Sequence, residues 1–170
     1  MITAHLINDK IVSTSPDAFS LYEKSWLGEK KEGKIEYSAM EALFLLSQRK
    51  IQVHFKGKLL SESALHAKAR KKDKNIANKL IAYKDLKNKG YVLKTALKFG
   101  TDFRVYSKGS KPGESHSPWL LHVANASENM KWQEFSAKTR VAHSTKKKLL
   151  IAVVDEESDI TYYEISWFRA

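Results

Sequence analysis

Three side chains in the second half of the chain have types suited to breaking a phosphodiester bond without a metal ion: Tyr106, His116 and Lys147. Tyr106 closes an extended run, DFRVY. His116 lies in a turn-rich stretch, KGSKPGESHSP. Lys147 stands where a helical pattern gives way to the apolar run LLIAVV. Singly, each has an ordinary explanation. A tyrosine at a strand end packs its ring, a lone histidine is polar surface, and a lysine within KKK is a solvated charge. Together they suffice for RNA cleavage, in which the 2′-hydroxyl attacks the adjacent phosphorus in line and leaves a 2′,3′-cyclic phosphate and a 5′-hydroxyl. That step needs a base for the hydroxyl proton, an acid for the leaving oxygen and a cation for the charge on the phosphorane. RNA supplies the nucleophile, so no metal-bound water is required. An imidazole suits the acid and an ammonium suits the stabiliser. A phenol is a poor base unless a nearby cation favours the phenolate, which Lys147 could do.

In a helix running through this segment, Arg140, Ser144 and Lys147 fall at i, i+4 and i+7 on one face. That face would offer a guanidinium and an ammonium to one phosphate path. Arg140 could instead stack on an unpaired base, as arginine planes do with splayed RNA. The ordinary alternative is a solvated basic face.

The elements that must position these groups read as follows. Ile2 to Val12 alternates loosely around Asn8-Asp9 and predicts a small hairpin. Pro16 opens a helix with Ser15 as N-cap, and Phe19, Tyr22 and Trp26 share a face expected to pack in the core. Gly28 to Lys34 reads as a charged turn. Ser38 and Glu41 have the spacing of a capping box ahead of AMEALFLLSQRK. IQVHF (51–55) reads as a strand, followed by the Lys56-Gly57-Lys58 turn and a helix after Ser61. The lysine-rich stretch Lys68 to Lys74 sets a domain boundary near Asp73, giving domains over 1–72 and 73–170.

In the second domain a helix is expected from Asn75 to Lys89, with Ile76, Leu80, Tyr83 and Leu86 on one face. Gly90 sits where a left-handed cap belongs. Strand candidates YVLKTAL, DFRVYS and WLLHVA precede a helix over roughly Glu134 to Lys146. Leu149 to Val154 then reads as a strand buried on both faces. DEESD turns the chain, and ITYYEISWF returns antiparallel. The fold class is mixed α/β, or α+β: a small N-terminal α/β domain and a C-terminal domain with a central mixed sheet.

At these residues the chain resembles the archaeal tRNA-splicing endonucleases. The segments KDLKNKGYVLKTALKFGTDFRVY (Lys84 to Tyr106) and RVAHSTKKKLLIAVVDEESDITYY (Arg140 to Tyr163) are similar to that family's hallmark blocks. LYEKSWLG and MEALFLLSQRKIQV look like its smaller domain more loosely. The resemblance implies a nuclease-like C-terminal domain in which Tyr106 is the base, His116 the acid and Lys147 the charge stabiliser, with no metal and no cofactor. The choice of Lys147 among Lys146 to Lys148 follows from counting back from Leu149-Leu150.

The resemblance also implies that an extruded base is clamped between two arginines. Arg140 matches one, and Arg169 or Trp167 is available for the other. It further implies four subunits, as a homotetramer or as two catalytic with two structural subunits. The substrate would be precursor tRNA carrying a bulge-helix-bulge, and an acidic loop would dock subunit pairs. DEESD supplies Asp155, Glu156, Glu157 and Asp159 for that loop, where the plain alternative is a solvated hairpin turn. A non-catalytic structural subunit of the same assembly would be expected to carry a broken triad, whereas all three positions match here.

Composition agrees with a polyanionic partner. The 170 residues carry a net charge of +11, which favours nucleic acid, although lysine-rich surfaces also serve solubility. There is no cysteine, which excludes a disulfide framework, a thiolate zinc site and a cysteine nucleophile, and fits a cytoplasmic protein. The longest apolar run, Leu149 to Val154, is too short to span a bilayer, and Met1 to Lys10 has no signal-peptide pattern. Pro16-Asp17 with Glu29-Lys30-Lys31 fits the loose pattern of magnesium-dependent nucleases. That chemistry needs the acids and the lysine on adjacent strands, whereas Asp17 begins a helix and Glu29 is expected in a turn.

Overall fold

The computed structural model describes residues 1–170, which divide into two compact units, Met1–Leu80 and Ile81–Ala170. Each unit is built on a mixed sheet, so the α+β class expected from the sequence holds.

In the first unit the Asn8-Asp9 turn joins β1 (Ile2–Ile7) to β2 (Lys10–Ser13) as an antiparallel hairpin. Pro16 starts α1 (Pro16–Ser25), where its fixed φ and missing N–H cost nothing. The aromatic stripe of α1 is a correction to the sequence reading. Ala18 is the residue that enters the core, while Phe19, Tyr22 and Trp26 stay half-buried. Tyr22 and Trp26 pack edge-on with centroids 5.4 Å apart.

The expected charged turn over Gly28 to Lys34 is also corrected. It is a hairpin of β3 (Glu29–Lys31) and β4 (Lys34–Tyr37). Gly28 must be glycine there, because its φ is +84° and an added Cβ would lie 2.5 Å from the Ile35 side chain.

The capping box opens α2 (Ala39–Ser47): Glu41 N donates to Ser38 Oγ, and Ser38 N donates to Glu41 Oε2 at 2.9 Å. β5 (Ile51–Phe55) lies parallel to β1, β6 (Lys58–Leu60) lies antiparallel to β5, and α3 (Glu62–Lys72) follows with Ser61 as N-cap. The strand order is β3-β4-β2-β1-β5-β6. Ile2, Ala4, Ile11, Ile35, Leu43, Ile51 and Val53 are buried as period-2 and helical patterning require.

α4 (Ile76–Asn88) buries Ile76, Leu80, Tyr83 and Leu86, as their spacing predicts, and Gly90 ends it at φ +92°. The division between the units falls within this helix. The second sheet has the order β11-β10-β9-β8-β7. Its strands are β7 (Val92–Thr95), β8 (Phe103–Tyr106), β9 (Trp119–Asn125), β10 (Lys148–Val154) and β11 (Ile160–Ile165). β9 and β10 are parallel, joined through α5 (Trp132–Ser144), and all other pairs are antiparallel.

Ala142 of α5 packs with Ala96, Leu120 and Leu149 to form the core on one face. On the other face Tyr162 Oη donates to Asp85 Oδ2 at 2.7 Å, tying β11 to α4. β10 is less enclosed than its apolar run suggests. Leu149, Ala152 and Val154 are buried, but Leu150, Ile151 and Val153 are half-buried. No helix is long and apolar enough to cross a membrane.

Candidate active site

Strand direction gathers the candidate residues. β8 runs antiparallel to β9, and β9 runs parallel to β10, so the end of β8 meets the beginnings of the other two along one edge of the sheet. Val105 faces Trp119, and Trp119 faces Lys148. Tyr106 is the last residue of β8 and is buried. The 107–118 connection, which carries His116, spans from that point to β9. Its turn is held by Glu114 N and Ser115 N, both donating to Lys111 O. His116 is exposed at the end of this connection, next to the buried Ser117.

Lys147 reaches the same edge through the way α5 stops. The helix ends at Ser144, and Lys146 adopts a left-handed φ of +56°. Lys146 N donates to His143 O at 3.0 Å and Lys147 N to Ala142 O at 2.8 Å. This is the paired-bond termination usually built on glycine. The sequence reading ran the helix to Lys146, which put Lys147 on one helical face with Arg140 and Ser144. That arrangement is corrected: Lys147 lies beyond the helix, on a chain reversal.

The reversal separates the three lysines. Lys146 is exposed. Lys148 Nζ is paired with Glu164 Oε1 at 2.6 Å, and the same carboxylate accepts Trp119 Nε1 at 2.7 Å. Lys147 Nζ alone turns to the histidine-bearing connection, donating to Ser117 O at 2.7 Å. Burial, and then the charge of Arg104, lower its pKa below the ordinary lysine value.

Arg104 was not singled out from the sequence. It lies two residues before Tyr106 and therefore on the same sheet face. It is half-buried, and its Nε donates to Thr95 O at 3.2 Å. The signal available was its position at i−2 from the candidate base in DFRVY.

The structure thus brings together the segments bearing Tyr106, His116 and Lys147, although the three side chains are not hydrogen-bonded to one another. Lys147 is bonded to the His116 connection through Ser117 O. A cleft beside Lys147 is lined by His143, Ser144, Lys146, Lys148, Ser166 and Trp167. His143 and Trp167 stack there with centroids 4.2 Å apart. Arg140 is exposed one turn before Ser144 on α5. No cluster of three or more His, Cys, Asp or Glu side chains forms a metal site. The Asp17 and Glu29 of the magnesium-nuclease pattern are engaged elsewhere: Asp17 pairs with the Met1 amino group at 2.9 Å, and Glu29 sits in β3 near Lys31.

The acidic segment is a built turn. Asp155 Oδ1 accepts the N–H groups of Glu157 and Asp159 at 3.0 and 2.9 Å, and Asp155 N donates to Asp159 O. One carboxylate shapes the loop, while Glu156, Glu157 and Asp159 are exposed.

Comparison with known proteins adds a whole-chain likeness. Residues 76–162 match the family model described as tRNA intron endonuclease, catalytic C-terminal domain, and residues 2–66 match its N-terminal domain. Proteins named tRNA-splicing endonuclease are similar over nearly their full length. The one from Thermococcus kodakarensis is 37% identical over 99% of both chains. That from Pyrococcus abyssi is 36% identical over 99% of this chain and 98% of its own. That from Methanothermobacter thermautotrophicus is 33% identical over 96% of each.

Proposed function

Since the chain belongs to the tRNA intron endonuclease family, and is thereby an RNA endonuclease, we propose that it cleaves precursor tRNA at bulge-helix-bulge junctions by metal-independent attack of the 2′-hydroxyl. Tyr106 takes the 2′-hydroxyl proton, His116 protonates the leaving 5′-oxygen, and Lys147 stabilises the phosphorane charge. The products are a 2′,3′-cyclic phosphate and a 5′-hydroxyl. The observation that carries this reading is the convergence of the end of β8, the His116 connection and Lys147 at one sheet edge, joined by the bond from Lys147 to Ser117.

Arg140 forms one arm that holds an extruded base. Trp167 is favoured over Arg169 for the second arm, because it lines the cleft beside Lys147 and its ring, stacked on His143, stays about half exposed. The loop of Asp155, Glu156, Glu157 and Asp159 docks subunit pairs into a tetramer, homomeric or with structural subunits.

The test is cleavage of a bulge-helix-bulge RNA in EDTA, with the ends analysed chemically. Cyclic-phosphate ends are expected. No cleavage by the chain, alone or with a candidate partner subunit, would sink the catalytic reading. Cleavage only with added magnesium would sink its metal-independent form.

A further inference from the structure

The first unit carries a second concentration of cations. Phe55 ends β5, and its half-buried ring lies under two ammonium groups, Lys68 at 4.4 Å and Lys56 at 5.5 Å from the centroid. Such contacts orient lysines without neutralising them. Lys58 follows across the Lys56-Gly57 turn, and Lys71 and Lys72 lie one helical turn beyond Lys68, all of them exposed. One carboxylate answers this group: Asp9 pairs with Lys72 at 2.8 Å. The bond from Lys72, with a weaker pull from the Lys68 charge, holds the Asp9 carboxyl below its usual range.

The cations form a row across a hairpin turn and a helix face. A row suits the repeated charges of a nucleic-acid backbone better than it suits a single acidic protein loop. We propose that this face, centred on Lys56 and Lys68 over Phe55, is a second RNA contact that grips backbone phosphates of a double-helical region away from the scissile bond. The proposal rests on the reading of the substrate as a structured RNA.

The test measures binding of the full chain to a precursor tRNA carrying a 2′-deoxy nucleotide at the cleavage site, across a salt titration. For Lys56→Gln/Lys68→Gln the slope of log affinity against log salt should fall in magnitude by about two, with affinity at physiological salt about tenfold weaker. The single-turnover rate on cleavable RNA at saturation should be unchanged, and so should the mass by light scattering. Lys56→Arg/Lys68→Arg should restore the slope. A double variant with the wild-type slope overturns the proposal. A lowered mass with the wild-type slope overturns it in favour of docking against another copy of the chain. If wild-type protein binds with the expected salt response but cleaves nothing, the contact stands and the endonuclease mechanism fails.

Discussion

The Lys147 ammonium donates to the carbonyl oxygen of Ser117, the residue that follows His116, at 2.7 Å. A lysine has three N–H donors, so this bond fixes its direction and leaves the others for a phosphate. The same contact anchors the end of the connection that carries the histidine. Two proposed roles, charge stabilisation and placement of the acid, therefore share one hydrogen bond.

Lys147→Ala should lower the single-turnover cleavage rate by about 10²–10³-fold at saturating RNA, the range for losing one transition-state stabilising group. A rate equal to wild type would remove Lys147 from the mechanism.

The pH profile should be sensitive to Arg104. In the proposed mechanism the Lys147 ammonium is the active form, and burial and Arg104 lower its pKa. Activity should therefore fall, as pH rises, below the ordinary lysine value of about 10.4. Arg104→Gln removes one of the two causes and should move the alkaline limb upward. A limb that stays in place, or moves down, would show that another group sets it.

His116→Ala should slow cleavage by about 10²–10⁴-fold while leaving RNA affinity close to wild type, because the proposed role of the imidazole is on the leaving group and its side chain is exposed. Fluorescence anisotropy with uncleavable RNA measures the affinity, and a collapse there would overturn the acid assignment.

In the acidic turn, Glu156→Gln/Glu157→Gln/Asp159→Asn should lower the assembled mass in ultracentrifugation without unfolding the chain. These side chains are exposed, and the turn is held by Asp155. Unchanged mass would show that the loop docks nothing. Asp155→Ala should instead destabilise the turn by about 1–3 kcal/mol, through two lost bonds to a carboxylate.

Lys146→Gly should raise thermal stability, by about 0.5–1 kcal/mol, since glycine adopts the left-handed φ of +56° without the Cβ clash. Calorimetry would check this. A lowered melting temperature would mean that the Lys146 side chain contributes more than its backbone costs.

Most elements were legible because their signals are local. The capping box of Ser38 and Glu41, the stripe Ile76, Leu80, Tyr83, Leu86, and Gly90 as a stop each depend on spacing within one element. The β3-β4 hairpin was hidden because β3 is an edge strand whose three residues, Glu29 to Lys31, are all exposed, so no apolar alternation marks it. The end of α5 was missed for a different reason. Its left-handed residue is Lys146 rather than glycine, so composition gives no stop signal, and the pattern runs on to Lys147. Counting back from Leu149-Leu150 chose Lys147, but no local signal shows how its surroundings differ from those of Lys148, since that difference is made by Glu164, sixteen residues from Lys148 on β11. The types at the site were readable. Their grouping depends on two strands starting where a third ends, which is a property of the sheet and not of any segment.

α5 delivers its C-terminal end to the edge where Lys147 sits. Many phosphate sites use the opposite end, where backbone N–H groups carry the anion and no side-chain substitution removes them. Here the helix presents the negative end of its dipole, which favours cations beside it and disfavours a phosphate. All attraction for the anion must then come from side chains. Under the proposed mechanism one codon change therefore silences the chain while its sheet and its acidic turn stay intact. A duplicated copy could thus become a purely architectural member of an assembly in a single step.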